Sequence, residues 1–195
     1  NYAPFAPNGQ YLAYMHNMKA TGAWERHHLA GKTNAVTGRF FEPRPSEEFY
    51  DNFKDFHNID NQIDDPLHQS KIKELKKELR RQQLQYFDSG LMPEEMRNRI
   101  VKEKNTTVYA FVRDPKLYPL AQYLDYADLA LTRKKKNLKT FTKGLSDVDP
   151  VKRYWSVIGL LLLEKQAKPV ISELKKVLGD RDEIPAFAAW AIYKA

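Results

Sequence analysis

The sequence has no cysteine among its 195 residues, which excludes a disulfide scaffold, a thiolate zinc site and a cysteine nucleophile. That absence leaves the compartment open. Glycine is scarce at 8 residues, and none falls in a phosphate-cradling or dinucleotide-binding loop. Long apolar runs are missing as well. The longest, residues 157–163, is far below the roughly 18 residues that a membrane span requires, so no span is expected and a buried helix is. No Gly-x-Ser-x-Gly elbow and no His-Glu-x-x-His helix occurs, so nothing in the chain pairs a nucleophile with its base or builds a zinc site. The N-terminus has no initiator Met, basic n-region or apolar h-region; it reads as neither a signal peptide nor a natural start, and a fragment is expected.

What is present suits a folded chain. Apolar residues make up 42% and aromatics 12%, enough to bury a core. The formal charge is +7, with 32 Lys and Arg against 25 Asp and Glu. It is unevenly placed: residues 1–100 hold 14 basic and 14 acidic side chains, residues 101–195 hold 18 and 11. Much of the excess is one block, Arg133-Lys134-Lys135-Lys136 with Lys139 and Lys143. Such a block attracts polyanions over long range; its simpler reading is a solvated turn between helices. A nucleic-acid partner is not expected, because no aromatic residues interleave with the lysines.

Residues 1–45 show no sustained periodicity apart from a short helical possibility at residues 10–18, where Tyr11, Tyr14, Met15 and Met18 share a face. Residues 36–41 and 48–50 read as two extended pieces around the bend Glu42-Pro43-Arg44-Pro45-Ser46, which predicts a small antiparallel sheet. From Asp65-Pro66 the spacing of Leu67, Ile72, Leu75, Leu79 and Tyr86 predicts a surface helix capped by Asp65 and stopped at Ser89-Gly90. Lys73 and Lys77 are placed for i,i+4 pairs with neighbouring acids. Residues 138–145 align with 171–178 at an offset of 33, which also carries Asp147 onto Asp180, Asp149 onto Asp182 and Tyr154 onto Phe187. That spacing predicts stacked helical hairpins, with residues 118–131 as a degenerate earlier unit. The paired aspartates read as helix caps. The fold class expected is therefore α+β, mainly α: a small antiparallel sheet with a covering helix over residues 1–100, then an α-helical repeat region over 101–195, which the resemblance described next makes HEAT-like.

Several blocks occur in order: Pro7-Asn8-Gly9-Gln10-Tyr11-Leu12-x-Tyr14-Met15, Met18-x-Ala20-Thr21-x-x-Trp24, Gly31-Lys32-x-Asn34-Ala35, and Arg39-Phe40-Phe41-Glu42-Pro43-Arg44-Pro45-Ser46-Glu47-Glu48-Phe49-Tyr50-Asp51. Further on come Asp88-x-Gly90-x-x-Pro93-Glu94, Arg113-Asp114-Pro115-x-x-Tyr118-Pro119-Leu120 and Asp147-x-Asp149-Pro150-x-x-Arg153-Tyr154-Trp155. Together they resemble the C-terminal subdomain of bacterial arylsulfatase-type, formylglycine-dependent sulfatases, continuing into HEAT-like repeats. The family's Asp-Pro-x-Glu-x-x-Asn-Leu turn is replaced here by Asp55-Phe56-His57-Asn58-Ile59-Asp60-Asn61-Gln62.

The resemblance implies a parent that hydrolyses sulfate esters, of glycans, in the periplasm or outside the cell. It also implies an N-terminal catalytic domain as partner, which supplies the formylglycine and calcium. The Cys/Ser-x-Pro-x-Arg signature of that nucleophile is absent here, and Asp51-Asn52 and Asp60-Asn61 lack the glycine that follows the family's metal-binding pair. No catalytic residue and no metal ligand is assigned in this chain. In the family this subdomain walls the substrate pocket, and Trp24, Arg26, His27, His28 and Lys32 are the candidates to meet a sulfated glycan. Arg and Lys give charge-assisted bonds to sulfate, and Trp offers a stacking face for a sugar. Alternatively, Trp24 plugs an interdomain core. The other histidines, His16, His57 and His68, read as surface imidazoles. The rival from a different class is a free-standing helical-repeat binding module.

Overall fold

The computed structural model describes residues 1–7 and 12–195. Its described residues divide into two compact units, Asn1–Lys77 and Glu78–Ala195. They differ sharply in what they bury.

In the first unit, Ala13–His16 forms a single helical turn, α1, and Lys19–Leu29 forms α2. Of the helix expected over residues 10–18, Gln10 and Tyr11 lie outside the described residues, and Tyr14 and Met18 are exposed rather than buried on a common face. The expected antiparallel sheet is not formed, and mainly helical structure takes its place. Among the described residues the only extended pairing in this unit is an isolated antiparallel bridge between Pro7 and Pro43. Two physical reasons account for this. Residues 39–41 wind into a 3-10 turn that packs Phe40 and Phe41 against Trp24. Pro43 and Pro45 then remove the N–H donors that a ladder would use. Residues 48–50 stay extended but are satisfied locally: Phe49 N–H donates to Asn61 Oδ1 at 2.9 Å and Phe49 C=O accepts from Gln62 N–H at 2.8 Å.

The long helix α3, Gln69–Gln85, opens through a 3-10 turn at Pro66–His68, with the Asp65 carboxylate accepting the Leu67 N–H at 2.8 Å. It stops before Ser89-Gly90, where Phe87 turns the chain in the left-handed region at φ 57°. The division between the units falls within this helix. Its ion pairs in the first unit are Lys71–Glu74 at 2.6 Å and Lys76–Glu47 at 2.5 Å, not pairs of Lys73 and Lys77.

The second unit holds α4 (Glu94–Glu103), α5 (Val108–Arg113), α6 (Leu120–Leu131), α7 (Leu138–Gly144), α8 (Pro150–Leu163), α9 (Ile171–Lys176) and α10 (Ile184–Lys194). After its first turn, which carries Lys152 and Arg153, helix α8 is buried on every side, as a helix surrounded by others must be: residues 154–163 are all buried. It packs against α6, α7 and α10. The 33-residue offset carries through to burial: Phe141 with Leu174, Gly144 with Val177, Val151 with Ile184, and Ile158 with Ala191 are buried at matching positions. Tyr154 is buried and its counterpart Phe187 half-buried; their rings meet edge to face at 5.6 Å.

The aspartates of the repeat divide their roles. Asp149 caps α8, accepting Val151 N–H at 2.9 Å, with Pro150 in the first turn and the Tyr123 hydroxyl donating to its other oxygen at 2.8 Å. Asp180 and Asp182 instead receive arginine forks, from Arg153 at 2.6 and 3.0 Å and from Arg99 at 2.8 and 2.8 Å. Such planar two-point pairs fix orientation as well as charge. Two buried donors hold the loop that precedes α4: Trp155 Nε1–H reaches Leu91 C=O at 2.8 Å and the Tyr118 hydroxyl reaches Asp88 C=O at 2.9 Å.

Candidate functional site

The candidate residues of the first unit come from α2 and the loop after it. On a helix, positions 24 and 28 share a face, and the structure uses them together. Trp24 stacks on Phe40 at 4.8 Å and meets the edge of Phe41 at 5.1 Å, while His28 stacks on Phe41 at 4.7 Å. Trp24 Nε1–H donates to Thr37 C=O at 2.9 Å. His28 Nδ1 lies 3.0 Å from Thr33 Oγ1, and its Nε2 is 3.6 Å from Glu42.

The loop that supplies these partners is shaped by Asn34, whose Oδ1 accepts the N–H groups of Val36 and Thr37. Gly38 then passes so close that a Cβ there would stand 3.0 Å from Thr33 Oγ1 and 3.1 Å from Asn34 C=O. Gly31 turns the end of α2 at φ 68°.

Arg26, His27 and Lys32 are not drawn into this cluster. All three are exposed. Position 26 lies nearly opposite position 24 around a helix, so Arg26 and the Trp24–His28 pair do not face one ligand from the same wall. With one indole face covered by Phe40, Trp24 keeps at most one for a sugar.

The partners that complete the cluster escaped the choice of site residues because Phe40 and Phe41 read as the end of a strand and Glu42 as the start of a proline bend. Arg39 beside them is also committed structurally, its guanidinium donating to Asn58 C=O at 3.2 Å and Ile59 C=O at 2.7 Å. The remaining histidines are apart: His16 lies 3.5 Å from Glu25, His68 meets the ring of Phe49 at 5.1 Å, and His57 meets Phe56 at 5.2 Å.

The calcium implied for a catalytic partner finds no fit among the described residues. Among the described residues no group of three or more His, Asp or Glu side chains is gathered as a metal site would need. The acids beside the Asp-Asn pairs serve the backbone instead. Asp51 Oδ1 accepts Phe53 N–H at 3.1 Å, and Asp55 accepts Asp60 N–H at 2.7 Å. The N–H groups of Ile59 and Asp60 hold the Asp55 carboxyl below its usual range.

The second unit has a cleft of about 770 Å³, lined by Phe111, Tyr123, Arg99, Arg153, Lys104 and Lys116 among others. Arg99 and Arg153 in its wall are paired with Asp182 and Asp180, which ties that part of the wall to the repeat scaffold. Among the described residues no helix is long and apolar enough to cross a membrane. Compared with known protein families, curated proteins and solved structures, the chain finds no match.

Proposed function

We propose that this chain is the C-terminal, non-catalytic portion of a sulfatase that hydrolyses sulfate esters of glycans in the periplasm or outside the cell. The observation that carries the reading is the uncovered apolar surface of the unit that holds most of the family-like blocks. Tyr14, Leu29, Phe53, Phe56 and Leu67 are 70%, 78%, 104%, 84% and 86% exposed. Singly exposed apolar side chains are ordinary, but five exposed by 70% or more within one unit are surface that a packed partner would cover. A catalytic domain packed on it, carrying the formylglycine and the calcium, would cover that surface. The α2 cluster would then form part of the pocket wall, with Trp24 and His28 as one rigid element and Arg26, His27 and Lys32 free to meet sulfate or carboxylate groups.

The test has two parts. The chain alone, given a chromogenic aryl sulfate and calcium, should release no sulfate, and the reading frame ahead of Asn1 should encode Cys/Ser-x-Pro-x-Arg. Turnover that survives repurification, or an upstream frame without the signature, overturns the proposal. A free-standing helical-repeat binding module predicts instead a native start codon just before Asn1.

A further inference from the structure

All of the excess charge lies in the second unit, which has 22 basic and 15 acidic residues, against 10 and 10 in the first. It is concentrated further: residues 133–176 hold twelve basic and four acidic side chains. Of those twelve, Arg153 is bound to Asp180 and Lys152 lies within α8. The other ten sit on two corresponding stretches, the turn and first helix of each hairpin. Residues 133–136, Lys139 and Lys143 belong to the first, and Lys165, Lys168, Lys175 and Lys176 to the second.

The 33-residue offset places Lys135 onto Lys168 and Lys143 onto Lys176. All ten are exposed, and none makes an ion pair with a described residue, whereas the arginines of the same unit at positions 80, 97, 99, 153 and 181 all do. A stack of hairpins repeats its surface at the spacing of its helices, about 8–10 Å. The two matched pairs, Lys135 with Lys168 and Lys143 with Lys176, therefore extend the basic surface from one hairpin to the next rather than leaving one isolated turn.

We infer that this edge of the helical repeat is a docking surface for a linear sulfated polysaccharide, separate from any pocket wall in the first unit. An extended glycan with regularly spaced sulfates matches a surface of point charges that have no carboxylate of their own. Lysine ammonium groups, which impose no fixed bonding plane, tolerate sliding of such a chain. No exposed aromatic residue lies between positions 132 and 176, so single-stranded nucleic acid would find no stacking platform. The choice of a sulfated glycan over duplex DNA rests on the sulfatase reading.

The experiment compares the full chain with three variants on immobilised heparin. One has Lys134, Lys135, Lys136 and Lys139 changed to Ser, the second has Lys165, Lys168, Lys175 and Lys176 changed to Ser, and the third has Lys54, Lys71, Lys73 and Lys77 of the first unit changed to Ser. Arg133, in the left-handed region at φ 51°, is left in place to preserve the turn. The first two variants should elute at clearly lower salt than the parent chain, and the third should elute with it. In solution the affinity should fall steeply and linearly in log–log form with salt, less steeply for each edge variant, because fewer counterions are exchanged. Unchanged elution of either edge variant, or an equal loss in the control, overturns the inference. Tighter binding of duplex DNA than of heparin at the same salt overturns the choice of ligand. The readout needs no catalysis, so loss of this inference leaves the sulfatase reading standing, and an upstream frame without the nucleophile signature leaves the heparin result standing.

Discussion

The contact between Tyr154 and Phe187 is where the two C-terminal hairpins can be separated experimentally. Tyr154 is 9% exposed and meets two rings, Phe187 at 5.6 Å and Trp155 at 5.4 Å, both edge to face. Truncating a buried aromatic to alanine costs about 3–5 kcal/mol in transfer and cavity terms. Phe187 is only half-buried, so Phe187→Ala should cost roughly half as much, about 2 kcal/mol. The edge-to-face geometry adds a coupling of about 0.5–1.5 kcal/mol, so the double variant should be destabilised by less than the sum of the singles. For a unit of this size each kcal/mol shifts the midpoint by roughly 3–6 °C, which places Tyr154→Ala at least ~10 °C below the parent.

Tyr154→Phe is the control. The Tyr154 hydroxyl makes no hydrogen bond to a described residue, and burial raises its pKa, so its removal should change stability by less than about 0.5 kcal/mol. Calorimetry with far-UV circular dichroism gives the midpoints, and urea titration gives the coupling. Unchanged melting in both alanine variants, or strict additivity of the two, would refute the stacked-hairpin reading.

Two further outcomes follow from individual sites. Gly159→Ala should destabilise by about 1–3 kcal/mol despite alanine's better helix propensity, because a Cβ there would stand 2.8 Å from three ring atoms of the buried Phe141; Gly179→Ala, with open space around its Cβ, should be neutral or slightly stabilising by thermal melting. Burial pushes the Asp180 carboxyl up, but the Arg153 fork and the Arg181 N–H outweigh it and leave the group below its usual range. A depressed carboxyl contributes stability that is present above the unfolded value near ~3.9 and lost as pH falls through the folded one. Asp180→Asn should therefore melt lower at neutral pH and lose less on acidification below about pH 4, and an acid limb identical to the parent's would remove Asp180 from that role.

What the sequence disclosed and what it hid divide along a physical line. The start of α3 was legible because Asp65-Pro66 is a local instruction, a carboxylate one residue ahead of a fixed φ, and no tertiary contact competes with it. The repeat offset was legible because each hairpin buries the same positions against the next. The sheet misled because Val36, Phe40 and Phe41 look like strand formers only when isolated; the rings of Phe40 and Phe41, packed on Trp24 and His28, stabilise a 3-10 turn instead, and that partnership spans positions no local window joins. The same blindness assigned Arg26, His27 and Lys32 to one constellation with Trp24. Adjacency in sequence distributes side chains around a helix, and only i,i+4 neighbours such as Trp24 and His28 share a wall. The arginine forks onto Asp180 and Asp182 were hidden for a similar reason, since Arg99 reaches its partner across 83 positions.

The two units cannot owe their order to the same forces. The second buries an apolar core that runs from Leu91 to Ala191, ample for a small domain. In the first, Ile72 is the only large aliphatic or aromatic side chain buried among the described residues, and burying it contributes about 2–3 kcal/mol. The rest of its order comes from the rings around Trp24 and from local polar contacts, each worth about 1 kcal/mol net. Tyr14, Leu29, Phe53, Phe56 and Leu67 stay exposed, and covering each of them would add about 1.5–3 kcal/mol. Coverage by a partner would thus do more than attach this unit: it would add the apolar burial of which the unit has little by itself.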